Sequence, residues 1–234
     1  GGPSGERVLG KLGKEMPFWD RTIDLIILTH PERDHMAGLL EVLKSYKVEN
    51  ILWTGVVRDT AEYREWQKLI KEENAKIYIA HSGQKIYGGR ISSGRYDLLV
   101  LHPFENLAGR EVKDSNNTSI ILRLVYGENS FLFTGDAYQS VERELVLSPT
   151  SHKAQLDSDV LKVGHHGSKT STSKEFIEAV SPEIAVISVG KDNSYGHPRP
   201  ETLETLEKYG ITILRTDLNK NIKILCNSQS LKLE

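Results

Sequence analysis

The chain is short of several things, and each shortage removes a class of protein. Its one cysteine, Cys226, rules out a disulfide framework and a cysteine-rich zinc knuckle. Formal net charge is only −2, which excludes a globally basic nucleic-acid wrapper but leaves room for a local basic patch. No apolar run approaches the roughly 18–20 residues a membrane span needs. The longest, Ile23–Leu28, is interrupted by Asp24. There is no secretory hydrophobic region, no basic amphipathic transit segment, no low-complexity tract and no linker-like stretch of Pro, Ser and Gly. The chain opens on Gly1-Gly2-Pro3 without an initiator Met, so it reads as a processed chain or a fragment, with any upstream membrane segment not shown. What is present is ample apolar side chain, 38 % over 234 residues, which is enough for a real core, and eight histidines that ask for an explanation.

Strand-like and helix-like segments alternate along the chain. Ile23–Leu28 is a nearly continuous apolar run, as expected of a strand buried on both faces. Apolar residues at helical spacing follow over Ala37–Tyr46 and Thr60–Glu73, with a strand at Val48–Trp53 between them. Strands are expected at Lys76–Ala80, Gln84–Tyr87 and Tyr96–Leu101. Ser119–Tyr126 and Ser130–Thr134 form a hairpin across Gly127-Glu128-Asn129. Further on, helices are expected at Gln139–Leu147, Ser173–Val180 and Glu201–Tyr209. Ser173 is placed to cap the second and Gly210 to stop the third. Strands at Val160–Val163, Ile184–Val189, Ile211–Arg215 and Asn221–Cys226 complete a mixed α/β pattern, read as one domain over residues 1–234.

Four of these strands end in chemistry. Ile23–Leu28 runs into Thr29-His30-Pro31-Glu32-Arg33-Asp34-His35, and the second hairpin strand into Thr134-Gly135-Asp136. Val160–Val163 runs into Gly164-His165-His166-Gly167-Ser168, and Ile184–Val189 into a loop carrying Asn193 and Tyr195-Gly196-His197-Pro198. Carboxyl ends of strands form the ligand crevice of layered α/β folds. Imidazoles and carboxylates at several such ends are what a metal site uses when thiolates are absent. A lone strand-end histidine or a Gly-Asp turn would mean little. The recurrence at separate strand ends is the signal.

The order H-x-x-x-D-H, then G-D, then H-H-G-S resembles the metallo-β-lactamase fold. More narrowly, it is similar to the hydrolase domain of the ComEC/Rec2 competence proteins. The stretches that carry the likeness are Leu28–Leu39, Asn116–Ile120, Phe131–Asp136, Val160–Lys169, Ile187–Gly190 and Asn193–Pro198. The resemblance implies an αββα sandwich, with the family's first N-terminal strands absent from this chain or supplied by something not shown. It implies one or two divalent ions, Zn²⁺ or Mn²⁺, with Mg²⁺ as a further option. His30, Asp34, His35, Asp136 and one of His165 and His166 match the ligand positions, and Asp136 matches the carboxylate that bridges two metals. Glu32 stands where the fuller family motif has its second histidine, leaving it an open candidate for the first site. The family's middle histidine is replaced around Asn116–Ser119.

Catalytic roles thus fall to His30, Asp34 and Asp136. Asp34 is either a pure ligand or also the acceptor of a water proton. Ser168, Lys169, His197 and Asn117 are candidates for substrate phosphate, although His197 could instead belong to a capped turn. Lys153, Lys162, Lys169, Lys174, Lys191 and Arg199 form a phosphate track if they share a face, and a solvated surface otherwise. Trp53, Tyr63 and Trp66 could stack on bases, but their spacing fits core packing better.

The expected activity is a phosphodiesterase or nuclease acting on DNA or RNA through a metal-bound hydroxide. The alternatives are another hydrolase on this fold, opening a β-lactam, lactone or thioester, and a non-catalytic nucleic-acid-binding module. In a competence channel the domain would lie on the extracytoplasmic side of the bacterial inner membrane. A free-standing relative would be soluble.

Overall fold

A computed structural model describes residues 5–88, 95–148 and 155–234. These form two compact units. The first takes the described residues up to His81 together with Glu105–Ile120. The second takes the described residues of Ser82–Phe104 and Ile121–Glu234.

The first unit holds helix α1 (Gly5–Glu15), strand β1 (Thr22–Leu28), helix α2 (Arg33–Ser45), strand β2 (Lys47–Trp53), helix α3 (Ala61–Glu72) and strand β3 (Lys76–Ile79). The strands form a parallel sheet in the order β1-β2-β3, with Ile26 opposite Ile51 and Ile51 opposite Ile77. Parallel neighbours cannot be joined by a tight turn, so α2 and α3 serve as crossovers. Their apolar faces and the strands share one core that includes Leu28, Met36, Leu40, Ile51 and Trp66. Trp53, Tyr63 and Trp66 all lie in this core, with Trp53 6.3 Å from Tyr63 and 6.1 Å from Trp66 between ring centroids, so they pack rather than wait for bases.

Helix α2 starts four residues earlier than its apolar periodicity suggests. Glu32 keeps an extended backbone at the N-cap and the helix takes in Arg33-Asp34-His35. A carboxylate in the first turn also suits the helix dipole. Helix α1 carries no clear sequence signal because Gly5, Gly10 and Gly13 lower its propensity, yet Val8, Leu9 and Leu12 reach the core.

The Thr60 hydroxyl caps α3 by accepting the Tyr63 N–H at 3.1 Å. Thr60→Ala is expected to cost about 1 kcal/mol. The check is a shift of the urea midpoint with an unchanged slope.

The second unit is built on a seven-stranded sheet in the order β10-β9-β8-β7-β6-β5-β4. Strands β4 (Lys85–Tyr87), β5 (Tyr96–His102), β6 (Ile121–Tyr126) and β7 (Asn129–Phe133) run antiparallel in succession. From β7 through β8 (Val160–Lys162) and β9 (Ile184–Ile187) to β10 (Thr212–Arg215) the pairing is parallel. Helices α4 (Gln139–Leu147), α5 (Lys174–Val180) and α6 (Pro200–Lys208) lie in the connections of the parallel half. The sheet's centre, where Leu132 faces Leu161 and Leu161 faces Ala185 across the ladder, belongs to a core completed by Leu145, Phe176, Ile177 and Leu206.

The chain ends in a short helix α7 (Thr216–Asn219) and an antiparallel pair, β11 (Ile224–Cys226) with β12 (Leu231–Leu233). The penultimate strand is shorter than its apolar pattern predicts. Its partner, three residues with a polar centre, had no pattern to announce it. Ser173 does stand at the N-cap of α5, but its hydroxyl makes no capping bond there. The α5 end is instead braced by Glu142 of α4, whose carboxylate accepts the Thr172 and Ser173 N–H groups.

Because β7, β8 and β9 run parallel, their carboxyl ends fall on one edge of this sheet. That edge carries Asp136, the His165-His166 turn and the loop from residue 188 to 198.

Candidate functional site

In the first unit, the donors gather where β1 gives way to α2. The His30 ring is fully buried. Its Nδ1 lies 3.1 Å from the Thr29 hydroxyl and 3.3 Å from the Ser119 hydroxyl. The rings of His30 and His35 are tilted against each other at 4.2 Å between centroids. His35 Nε2 is 3.6 Å from Asp34 Oδ2, and the Asp34 side chain stays half exposed. Ser119 is held next to β1 because the Ile120 N–H donates to the Thr29 carbonyl at 2.9 Å.

Glu32 is engaged elsewhere. Its Oε1 accepts the Ser115 hydroxyl at 2.6 Å and is paired with the Arg58 guanidinium at 2.9 Å. Arg58 also donates to the carbonyls of Val112 and Lys113. Glu32 therefore acts as a strut between the β1 loop and the 112–115 segment, and ligating a metal would require giving up that pair. Asn117, in the 3₁₀ turn Asn116–Thr118, is exposed.

In the second unit, Asp136 follows β7 and its side chain is 5 % exposed. Its Oδ2 lies 3.3 Å from His166 Nε2, and its Oδ1 lies 3.6 Å from the Lys162 ammonium. His165 and His166 both sit at left-handed φ, 45° and 55°, in the Gly164–Gly167 turn. Gly167 continues that turn at φ 81°, and a Cβ there would come within 2.6 Å of Pro198 Cβ. This is why glycine follows the two histidines.

The two imidazoles are sent to different places. His166 Nδ1 is 2.6 Å from the Ser188 carbonyl. A carbonyl only accepts, so Nδ1 carries the hydrogen, and in the neutral ring the lone pair is on Nε2, facing Asp136. His165 Nδ1 instead meets the Thr170 hydroxyl at 3.1 Å, and its ring lies 5.4 Å from Tyr138 and 5.7 Å from His197. Of the two histidines that sequence could not tell apart, His166 is the one that lies against the Asp136 carboxylate.

The remaining candidates divide. Ser168 is buried, its hydroxyl 3.0 Å from that of Thr170, and it braces its own loop. Lys169, Lys191 and Arg199 are exposed. Lys174 is paired with Glu178 on α5, and Lys162 is turned inward to Asp136 and the Gly135 carbonyl, so neither continues a basic track. Lys153 lies outside the described residues.

The turn before Pro198 is clamped by Asn193, which accepts the His197 N–H and donates to the His197 carbonyl, each at 2.8 Å. The ring is not used in that clamp, and its buried Nδ1 has no hydrogen-bond partner among the described residues. Burial and the nearby His165 hold its pKa below the ordinary histidine value, so the ring is neutral near pH 7.

Sequence reasoning passed over Lys162 as a neighbour of Asp136, and the Ser188 carbonyl that sets the His166 tautomer. A lysine ending a strand otherwise built of buried apolar residues was the one available signal for the former. A backbone carbonyl leaves none.

The fold and these donors define the class. The chain belongs to the metallo-β-lactamase superfamily, whose family model matches residues 19–191. Among curated proteins it is 34 % identical over 204 residues to ComE operon protein 3 of Bacillus subtilis, covering 87 % of this chain and 24 % of that protein. It is likewise 34 % identical over 199 residues to competence protein ComA of Neisseria gonorrhoeae, covering 85 % of this chain and 25 % of the relative. The chain thus spans about a quarter of the length of these relatives.

Among solved structures, the metallo-β-lactamase fold protein YhfI from Bacillus subtilis aligns with a TM-score of 0.53 at 13 % identity, over 97 % of this chain and 83 % of that one. Zn²⁺-bound PqqB from Methylobacterium extorquens aligns at 0.50 and 12 % identity, over 82 % and 71 %. These two likenesses show the fold alone. No helix among the described residues is long and apolar enough to cross a membrane.

The family implies divalent metal ions, and the donor chemistry here fits them. A lone pair on His166 Nε2 and a carboxylate oxygen 3.3 Å away repel each other unless a cation or proton stands between them.

Proposed function

We propose that the chain is a metal-dependent phosphodiesterase acting on nucleic acid, with Asp136 and His166 of the second unit offering donors to a divalent ion, and with Asp34 and His35 assigned as ligands by their match to the family motif. The observation that carries the reading is the Asp136–His166 pair, with the ring tautomer set by the Ser188 carbonyl so that the Nε2 lone pair of the neutral ring faces Asp136. The likeness to competence proteins supports a nucleic-acid substrate. Oxygen and imidazole donors without thiolate suit Mn²⁺ or Zn²⁺, with Mg²⁺ the weaker fit.

When bound, such an ion supplies Lewis acidity to a water and to phosphate oxygens. The chain's own residues do the rest. Asp34, half exposed on the first turn of α2, accepts the proton from the attacking water. His35 and His166 would offer imidazole donors to such an ion. The exposed Lys169 and Arg199 attract the phosphate backbone, and His197, whose ring lies 5.7 Å from that of His165, is a further candidate contact for phosphate.

The test loads the protein with Mn²⁺, Mg²⁺ or Zn²⁺ and compares hydrolysis of single-stranded DNA, a chromogenic phosphodiester and a chromogenic β-lactam. Phosphodiester cleavage is expected. Turnover of the β-lactam alone would overturn the substrate assignment, and the absence of both metal uptake and turnover would leave a binding module.

A paired substitution checks the ligand assignment. His166→Ala is expected to weaken metal binding by about 10²-fold, and His165→Ala by less than about tenfold, read by calorimetric titration with Mn²⁺.

A further inference from the structure

Asp136 matches a carboxylate that serves two metals in the family, yet in this chain its two oxygens face different partners. Oδ2 faces His166 Nε2 at 3.3 Å, and Oδ1 faces the Lys162 ammonium at 3.6 Å. The ammonium is anchored where it stands, because it donates to the Gly135 carbonyl at 2.8 Å, one residue before Asp136. Lys162 ends β8, which is hydrogen-bonded to β7, so backbone pairing fixes the stem that delivers the charge. With its side chain 21 % exposed and Asp136's 5 % exposed, solvent screens the pair poorly.

We propose that Lys162 is a built-in cation on Asp136 Oδ1, a positioning residue that commits the carboxylate to a single divalent ion through Oδ2. This rests on the metal reading above. A divalent ion ligated by Oδ1 would lie within a few ångströms of a fixed positive charge. The first site is also short of donors for a second ion: Glu32, which stands in place of a histidine, is held by Arg58 and Ser115. Lys162 thus supplies permanently the positive charge that a second metal would bring, and it leaves the phosphate track for which its position in the sequence suggested it.

The experiment counts ions. Mn²⁺ binding to the whole chain is followed by the electron paramagnetic resonance signal of free Mn²⁺ and by calorimetry, for the wild type, Lys162→Met, Lys162→Gln and Lys162→Arg. Circular dichroism establishes that each is folded. The wild type is expected to bind one ion. Lys162→Met and Lys162→Gln, which remove the charge and keep much of the stem, are expected to bind a second ion or to tighten a weak second event at least tenfold, with exchange broadening of the bound Mn²⁺ spectrum as two ions come together. Lys162→Arg restores the wild-type count.

Two tight ions in the wild type overturn the inference and leave the metal reading standing, and this outcome decides the matter even if the uncharged variants do not fold. Uncharged variants that fold and still bind one ion with unchanged affinity for a second also overturn it. No ion at all in the wild type overturns the metal reading and this inference with it.

Discussion

Asp136→Ala is expected to abolish metal-dependent hydrolysis, with kcat/KM falling on the order of 10³-fold or more. The carboxylate is the buried negative charge of the second unit's donor set, flanked by a lysine on one oxygen and an imidazole on the other. Removing it takes the carboxylate away from the Lys162 ammonium and from His166 Nε2 alike. A divalent cation would then meet net positive charge instead of a carboxylate. Loss of the counterion also strips Lys162 of an ionic partner in a poorly solvated place, so some loss of stability is expected in the alanine protein.

Asp136→Asn separates the two effects. It keeps the shape and an oxygen acceptor but not the charge, so it should stay folded while still losing most of its metal. The measurement is metal content by elemental analysis beside phosphodiester turnover, each normalised to folded protein. Turnover within tenfold of wild type in either variant would sink the metal mechanism.

Much of the fold was open to sequence reading because its strands are short apolar runs that end abruptly in polar motifs. Ile23–Leu28 reads as a buried strand, and parallel pairing in the structure accounts for its lack of alternation. The residue types of the candidate site were also open, since His30, Asp34, His35, Asp136 and the His165-His166 pair all stand at strand ends or one turn beyond. Periodicity failed where local backbone choices decide the outcome. Helix α2 begins at Arg33 rather than near Ala37 because its first turn carries charged and ligand residues, which have no apolar stripe to show. Helix α1 hides behind its glycines, and β12 is too short for any period.

At the site, residue types were legible and their partners were not. Nothing in H-H-G distinguishes the two imidazoles. The distinction comes from two consecutive left-handed residues and from a carbonyl on the neighbouring strand's loop. Likewise Glu32 could be a ligand by its place in the motif, but a guanidinium more than twenty residues away holds it. Interactions that cross the sequence decide what each matching residue is free to do, and this is why the fold outran the site in legibility.

Glu142→Ala is expected to destabilise the protein by about 3 kcal/mol, or roughly 6–12 °C in midpoint temperature for a chain of this size. Glu142 lies on the inner face of α4, 1 % exposed, and its two oxygens accept the N–H groups of Thr172 at 2.5 Å and Ser173 at 2.8 Å. These donors lead into α5 just after Thr172, which is itself held at left-handed φ of 67°. Alanine leaves both N–H groups without their acceptor and opens a cavity under the turn that leads into α5.

The pH dependence has a definite sign. Burial is the largest influence on this carboxyl and raises its pKa above the ordinary 4.5, against the lowering effect of the hydrogen bonds it receives. The folded protein therefore keeps the proton to higher pH than the unfolded chain does. The stability that Glu142 contributes is fully present below about 4.5 and declines as pH rises through the folded-state value. The difference in midpoint between wild type and Glu142→Ala should accordingly be widest near pH 4.5 and narrower at pH 8, in thermal melts followed by circular dichroism. Glu142→Gln should fall between the two, since its amide can accept one of the N–H groups and turns an NH₂ toward the other. A gap that widens with pH would show that the hydrogen bonds, and not burial, govern this carboxyl. A gap under about 1 kcal/mol at every pH would mean that α5 does not depend on Glu142 for its first turn.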